Sequence, residues 1–216
     1  MATHTDTRRP GRARRRALGR LIAGGTAGNE QLTALTGVVL ILLLAAVGVT
    51  IVRIGGLLNA HMFLGMLLIG PVILKLASTG YRFIRYYGAN PRYRAKGPPA
   101  IEMRLLAPLV VLTTIVVFAS GVALLFVGPS ARGTLTPIHK VGFFAWLAVT
   151  ALHVLGHLAE LPRSLAADRH GSRDWDDHGS GRGARALALS GALVGGLVLA
   201  LLVESQFGAW AHFHHH

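Results

Sequence analysis

Residues 58–79 read LNAHMFLGMLLIGPVILKLAST, and residues 138–160 read IHKVGFFAWLAVTALHVLGHLAE. Both stretches are long and apolar enough to cross a bilayer, because a transmembrane helix needs about 20 predominantly apolar residues. Each stretch also carries a histidine near its beginning, His61 in the first and His139 in the second. An ionisable side chain inside a membrane span is costly, so it indicates a functional site.

Three further stretches of the chain satisfy the same length criterion. Of the 216 residues, 52% are apolar and only 14% are charged, a balance typical of an integral membrane protein. Pro71 and Pro108 fall inside apolar stretches, where proline is tolerated because neighbouring groups satisfy the freed backbone. We therefore predict an all-α integral membrane protein, with a transmembrane domain over 32–205 and five transmembrane helices at about 33–53, 58–79, 105–127, 138–160 and 186–205.

The net charge of +13 comes mainly from basic residues grouped between the spans. Seven of the 22 Lys and Arg lie within 8–20, six within 82–104 and five within 163–185. In a five-span chain these three segments share one side of the membrane. The positive-inside rule places that side, and with it the N-terminus, in the cytoplasm of a cell whose inner (plasma) membrane holds the protein. The C-terminus then lies outside, and the grouping excludes nucleic acid as the partner.

Two terminal segments lie outside the predicted transmembrane domain. Residues 1–31 form a basic cytoplasmic arm, expected to be disordered and to lie against anionic lipid, where each basic residue adds about 1 kcal/mol of attraction. The apolar stretch that follows is too long for the h-region of a secretory signal, so we predict that it is retained. Residues 206–216 form an extracytoplasmic tail that contains histidines, and its last three also resemble a purification tag.

The chain contains no cysteine. Disulfides, thiolate metal sites, covalently attached c-type haem and cysteine-ligated iron–sulfur clusters are therefore excluded within it. No nucleotide-binding glycine loop, zinc-protease helix motif or nucleophile elbow is present in the sequence. Histidine is left as the main candidate for binding chemistry.

The depths of His61 and His139 match in the predicted topology. The second and fourth spans run in the same direction, and each histidine lies within about the first turn of its span. Two imidazoles bind one haem iron only if they face each other across it, each at about 2 Å. Equal depth on two parallel helices meets that requirement, so we predict that His61 and His139 are the axial ligands of a haem b. His153 lies roughly 20 Å deeper and is too distant to share the iron with His61.

A second set of polar residues lies deeper in the same two spans. His153 follows His139 by 14 residues, which is about 21 Å along a helix and within about 40° of the same face. Lys75 follows His61 by the same spacing, and His157 lies one turn beyond His153. These three residues are candidates for an inner haem or metal site, for quinone or proton chemistry, or for hydrogen bonds between helices, and the sequence leaves the choice open.

Residues close to the two haem-ligand candidates are compatible with a macrocycle. Arg53 and Lys140 lie near the outer ends of the spans and are candidates for contacts with the propionates, although snorkelling to the interface explains their positions equally well. Gly65 and Gly142 leave room beside the histidines. Glycine is also common where membrane helices pack against each other, so both readings of these two residues stay open.

The histidine pattern resembles that of the membrane-embedded b-type cytochromes. Respiratory cytochrome b, the cytochrome b subunits of hydrogenases and formate dehydrogenases, and ferric-reductase-like membrane domains share parallel second and fourth helices with histidines 14 residues apart. The resemblance covers about residues 33–205 and rests on His61, His139 and His153. It implies two haems stacked across the membrane and electron transfer between a quinone and a protein partner on one side, with His61 and His139 at the outer haem. Lys75 stands where the family has a fourth histidine, which favours one haem over two.

We therefore predict a membrane b-type cytochrome that transfers electrons between the quinone pool and an extracytoplasmic oxidoreductase partner. The chain is expected to be an electron-transfer subunit rather than a complete enzyme. Its first four helices should form the haem-binding bundle, with the fifth packed outside as a peripheral helix. Two alternatives remain: a small transporter or metal-handling protein whose histidines line a polar path, and a structural membrane subunit whose histidines only pack. Against the transporter, Glu160 and Glu204 lie at the ends of spans, whereas cation pathways usually contain a carboxylate.

Overall fold

The chain folds into long helices. The computed structural model describes residues 25–95, 101–168 and 182–211. Its helices are α1 (Gly25–Val52), α2 (Ile54–Tyr87), α3 (Pro91–Arg94), α4 (Ile101–Phe126), α5 (Pro129–Asp168), α6 (Arg182–Val203) and α7 (Gly208–Ala211), with a 3-10 turn at Glu204–Gln206. Five of them, α1, α2, α4, α5 and α6, are long and apolar enough to cross a membrane. The prediction of an all-α chain with five such helices is therefore confirmed.

The helices extend beyond the apolar stretches that predicted them. α2 continues past position 79 to Tyr87, and α5 begins at Pro129, nine residues before position 138. Proline is favourable at the first position of a helix because its missing N–H would have no intrahelical partner there. Hydropathy marks only the part of a helix that matches the hydrocarbon core. His61 and His139 consequently lie seven and ten residues into their helices, deeper than the predicted first turn.

The predicted terminal segments are described only in part. Residues 25–31 of the predicted basic arm form the first turns of α1, and the predicted tail is described as far as Ala211. Residues 1–24 and 212–216 lie outside the described ranges.

The two ends of the helical assembly differ in chemistry. α1, α4 and α6 begin at one end, where α2 also finishes beside Arg82 and Arg85; we call this the basic end. α2 and α5 begin at the opposite end, which we call the histidine end because His61 and His139 lie in that half of their helices. α2 and α5 thus run in the same direction.

The long helices pack in two groups. α2 packs along both α1 and α6, and α4 packs along α5. The two groups meet towards the histidine end, where a buried apolar cluster joins Met66 of α2, Leu125 of α4, Ala200 of α6 and Phe207. This arrangement differs from the predicted four-helix bundle with a peripheral fifth helix, because α6 packs on α2 as closely as α1 does.

Two glycines explain the close packing of α6 on α2. Gly70 of α2 faces the backbone carbonyl of Ala192, and Gly196 of α6 faces that of Leu67, so that a Cβ at either glycine would overlap the carbonyl. Small residues at such contacts let membrane helices approach closely, and van der Waals packing is a main source of their association in lipid. Hydropathy does not report which small residues make such a contact.

We expect Gly196→Ala to loosen the contact between α2 and α6, because the added methyl group would overlap the carbonyl of Leu67. Overpacking of this kind costs roughly 1–3 kcal/mol of stability. Thermal unfolding of the purified protein in detergent, followed by circular dichroism, measures the loss. Gly191→Ala on the same helix is the control, since a Cβ there meets no atom within 4 Å. Equal unfolding midpoints for the two variants would contradict the close contact.

Candidate functional site

His61 of α2 and His139 of α5 meet between the two groups of helices. The centroids of their imidazole rings are 6.4 Å apart, and the ring planes are inclined at 78°. Both side chains are half-buried. The sequence prediction that these two histidines lie at the same depth is confirmed by this contact.

The separation of the two rings matches the geometry of a shared metal ion. Two imidazole nitrogens that ligate one iron or zinc ion each lie about 2.0–2.1 Å from it, and a ring centroid lies about 1.1 Å behind its nitrogen, so ring centroids on opposite sides are about 6.3 Å apart. The observed separation is 6.4 Å. The centroid separation is therefore the one expected if both rings held one metal ion.

The ring of His61 is oriented by α1. Its Nδ1 lies 3.0 Å from the hydroxyl of Thr50, and that hydroxyl donates its own proton to the carbonyl of Val47 at 2.6 Å. Since the Thr50 proton is already used, the hydroxyl accepts a hydrogen bond from Nδ1 of His61. This assigns the imidazole proton to Nδ1 and leaves the lone pair for a metal on Nε2.

The ring of His139 is oriented by α4 in the same way. Its Nδ1 lies 3.1 Å from the carbonyl oxygen of Val117 and 3.0 Å from the hydroxyl of Ser120. A carbonyl only accepts, so Nδ1 of His139 carries the proton and Nε2 carries the lone pair. Metal-binding histidines commonly donate their other N–H to a carbonyl or similar acceptor, which fixes the ring and raises the basicity of the ligating nitrogen.

The Nε2 atoms of the pair are available for a ligand. Among the hydrogen bonds of the described residues, none involves Nε2 of His61 or of His139. The described ranges also contain no group of three or more histidines, aspartates or glutamates close enough to hold a metal ion. A bare ion at this pair would thus lack the four ligands that zinc prefers, whereas a porphyrin itself supplies four nitrogens. The donor set fits a haem better than a bare ion.

α2 and α5 approach each other at the ring pair. Each packs along other helices, and within the described residues the two backbones do not pack along each other. A Cβ at Gly65, one turn beyond His61, would meet no atom within 4 Å. The helix face beside His61 is therefore not filled by a neighbouring helix at Gly65.

Two further glycines lie close to neighbouring side chains, Gly121 to the ring of His139 and Gly142 to Val116. A Cβ at Gly121 of α4 would lie 3.1 Å from Cε1 of His139, and a Cβ at Gly142 of α5 would lie 3.1 Å from a methyl group of Val116. Gly121, which the sequence did not single out, therefore makes room for the ligand ring itself. Gly142 serves the packing of α5 on α4, and only Gly65 of the two predicted glycines borders open space.

The two predicted propionate contacts, Arg53 and Lys140, are exposed side chains. Arg53 occupies the exposed turn between α1 and α2, and Lys140 is exposed on α5 about 100° around the helix from His139. The sequence analysis did not name Arg132 as a candidate for a propionate contact, although it precedes His139 by two turns on nearly the same face. Its guanidinium lies 4.1 Å from the centroid of the Trp210 ring, and Trp210 donates a hydrogen bond to the carbonyl of Leu124 at 3.2 Å. The spacing of seven residues between Arg132 and His139 could have indicated that the two side chains share a helix face.

The deeper polar residues do not form one site among the described contacts. Lys75 turns towards α1, where its ammonium donates to the carbonyl of Thr33 at 2.7 Å. His153 is half-buried on α5, in the other group of helices. The side chain of His157 lies outside the described residues. Lys75 and His153 were candidates to hold an inner haem. The direction of the Lys75 side chain does not support that prediction.

The chain was compared with models of protein families, with curated proteins and with solved structures, and none of the three comparisons finds a match.

Proposed function

We propose that this protein is a membrane b-type cytochrome, with one haem b held between α2 and α5 by His61 and His139. The observation that carries the proposal is the ring pair itself, with centroids 6.4 Å apart and both Nδ1 atoms engaged by neighbouring helices. The protein would exchange electrons between the membrane quinone pool and an oxidoreductase partner. The resemblance to membrane-embedded b-type cytochromes supports the same assignment.

The chain's own residues account for electron transfer rather than catalysis at the metal. When bound, a haem supplies a one-electron couple between ferric and ferrous iron. His61 and His139 would hold the haem iron through two imidazole nitrogens, a ligand set suited to electron transfer. Nδ1 of His61 keeps its proton through the hydrogen bond to Thr50, and Nδ1 of His139 keeps its proton through Ser120 and the carbonyl of Val117. Each Nε2 is therefore a stronger donor to a metal. A stronger donor favours the ferric state, so these hydrogen bonds should lower the reduction potential.

The direction of Lys75 supports one haem rather than two. A second, inner haem on the family pattern would use a ligand at the height of Lys75, but its ammonium is occupied by the carbonyl of Thr33. The Lys75 side chain is directed at α1 rather than α5, so its nitrogen is not presented to a haem between α2 and α5. The proposal is therefore a single haem, with His153 outside the haem site.

The distribution of charge supports an orientation for the electron transfer. The basic end carries Arg82 and Arg85, and segments rich in basic residues are retained in the cytoplasm. The His61–His139 pair would then lie in the outer half of the membrane. A redox partner would dock on the extracytoplasmic side, while quinone reaches the protein through the lipid.

A visible spectrum of the detergent-purified protein tests the proposal. We expect a reduced-minus-oxidised difference spectrum of a low-spin b-type haem, and reduction of that haem by an added short-tailed quinol. Protein that was expressed with adequate haem supply and shows no haem would contradict the proposal and favour the metal-handling or structural alternatives. Haem that is reduced by dithionite but by no quinol would contradict the link to the quinone pool.

We expect Thr50→Val to weaken haem binding without removing a ligand. The substitution preserves the shape of the side chain but deprives Nδ1 of His61 of its acceptor, and loss of such a partner typically lowers metal affinity roughly 10- to 100-fold. Haem retention during dilution or competition with apomyoglobin measures the change. Thr113→Val is the control, because the Thr113 hydroxyl bonds only to carbonyls of its own helix. Equal haem retention by the two variants would show that Thr50 does not support the ligand.

A further inference from the structure

The segment that follows α6 packs across the histidine end. It comprises Glu204–Ala211, with the 3-10 turn and α7, and we call it the return segment. Its Phe207 is 4% exposed and lies in the apolar cluster with Met66, Leu125 and Ala200. Because the other members of that cluster belong to α2, α4 and α6, the return segment is fixed at the place where the two groups of helices meet.

Trp210 of the return segment contacts both α4 and α5. Its indole N–H donates to the carbonyl of Leu124 at 3.2 Å, and the guanidinium of Arg132 lies 4.1 Å from its ring centroid. Leu124 is in the last turn of α4, where carbonyls have no partner within the helix, and an unpaired polar group is costly in apolar surroundings. A tryptophan that only anchors a helix at the membrane interface sits at the headgroup level, whereas this N–H is used between helices.

The indole contacts lie close to the residues that hold and orient His139. Leu124 follows Ser120 by one turn of α4, and the Ser120 hydroxyl lies 3.0 Å from Nδ1 of His139. Arg132 precedes His139 by about two turns of α5. The return segment, which continues from the helix packed on α2, therefore reaches the two helices that position the ring of His139.

Few other contacts join the two groups of helices. Among the described helices, α1 and α6 do not pack along α4 or α5, and α2 packs only lightly on α4. The backbones of α2 and α5, which carry His61 and His139, do not pack along each other. The distance between the two rings therefore depends on the apolar cluster and on the return segment.

We propose that Trp210 is a positioning residue that sets the separation of the His61 and His139 rings. Its indole holds α4 and α5 against the group that carries His61, so that the ring centroids stay 6.4 Å apart. Phe207, buried in the apolar cluster, keeps the indole in place. The use of that separation rests on the proposed function, whereas the separation itself is measurable without haem.

Double electron–electron resonance between two spin labels on the full chain measures the distance between α2 and α5. The chain has no cysteine, so Ile54→Cys and Val141→Cys introduce the labelling sites, both exposed and within about two turns of a ring. We expect Trp210→Ala to shift the distance distribution to longer values and to broaden it, because both contacts of the indole are lost. Trp210→Phe keeps a ring for Arg132 but no N–H donor, and should give a smaller shift.

Trp146→Ala is the matched control for Trp210→Ala. Trp146 also donates an indole hydrogen bond, to the hydroxyl of Thr114 at 3.0 Å, but this bond joins α4 to α5 within one group. Its loss should leave the label distance unchanged. Gel filtration and the unfolding midpoint show which variants fold. A wild-type distribution in folded Trp210→Ala, or an equal shift in Trp146→Ala, would overturn the proposal; if Trp210→Ala does not fold, a wild-type distribution in Trp210→Phe would overturn it.

Haem retention and the reduction potential of the unlabelled variants separate this inference from the proposed function. We expect Trp210→Ala to weaken haem retention roughly tenfold, the combined effect of losing one hydrogen bond and one cation–π contact, and to shift the potential, while Trp146→Ala changes neither. A distance that depends on Trp210 in protein that takes up no haem would overturn the cytochrome alone. A haem-loaded protein whose label distance does not depend on Trp210 would overturn this inference alone.

Discussion

His61→Ala and His139→Ala should each abolish the low-spin haem spectrum of the purified protein. The two rings are the groups spaced for one iron, with centroids 6.4 Å apart, and alanine offers no nitrogen in place of either. Loss of one ligand leaves a five-coordinate iron that is high-spin or fails to stay bound. Visible spectroscopy of the reduced and oxidised variants measures the change. The effect should be close to complete, since no other described histidine lies at this depth.

His153→Ala is the matched control for these two substitutions. His153 lies on α5, as His139 does, but about 21 Å deeper. Its replacement should leave both the haem content and the low-spin spectrum as in the unmodified protein. An unchanged spectrum in His61→Ala, or loss of the spectrum in His153→Ala, would show that the ligand pair is wrongly assigned.

Gly121→Val should displace the ring of His139 and cause the second largest loss of haem. A Cβ at Gly121 would lie 3.1 Å from Cε1 and 3.5 Å from Nδ1 of that ring, and the two methyl groups of valine enlarge the overlap. The ring would have to leave its hydrogen bonds to Ser120 and Val117. Because such bonds fix the orientation of a ligand and their loss typically costs 10- to 100-fold in metal affinity, we expect haem content to fall by about tenfold or more.

The same substitution at Gly191 provides the control for Gly121→Val. Gly191 lies in α6, and a Cβ there meets no atom within 4 Å, so that the intrinsic effect of valine in a membrane helix is matched. Pyridine haemochrome assays on equal amounts of folded protein compare the two. Equal haem content in both variants would mean that Gly121 does not shape the ligand site.

The sequence predicts the helices and the depth of the histidine pair because both follow from local patterns. Five apolar stretches give five helices, alternation of their direction makes α2 and α5 parallel, and the rise per residue then places His61 and His139 at one level. The ends of α2 and α5 were less predictable. Their extensions beyond the hydrocarbon core depend on helix propensity at the interface, which hydropathy does not report.

Packing partners and hydrogen bonds could not be predicted from those patterns. The contact of α6 with α2 depends on which glycines face each other, here Gly70 and Gly196. Thr50 and Ser120 lie on α1 and α4, far in sequence from the rings that they orient. Lys75 shares the 14-residue spacing of the histidines, but its long side chain reaches α1 rather than α5. Each of these features is decided by side-chain direction in the folded helices, which periodicity alone leaves open.

The orientation of both imidazoles explains how the site would be ready before the cofactor arrives. Thr50 on one side and Ser120 with the Val117 carbonyl on the other hold the Nδ1 protons. The two Nε2 lone pairs are therefore available without a change of tautomer.

The number of haems per chain tests the central claim most directly. Pyridine haemochrome quantification of the purified full chain, divided by protein concentration from amino-acid analysis, should give one haem b per chain, as expected if His61 and His139 form the single site. Two haems per chain would contradict the assignment of Lys75 away from iron and require an inner site. No haem, in protein expressed with adequate haem supply, would contradict the account as a whole.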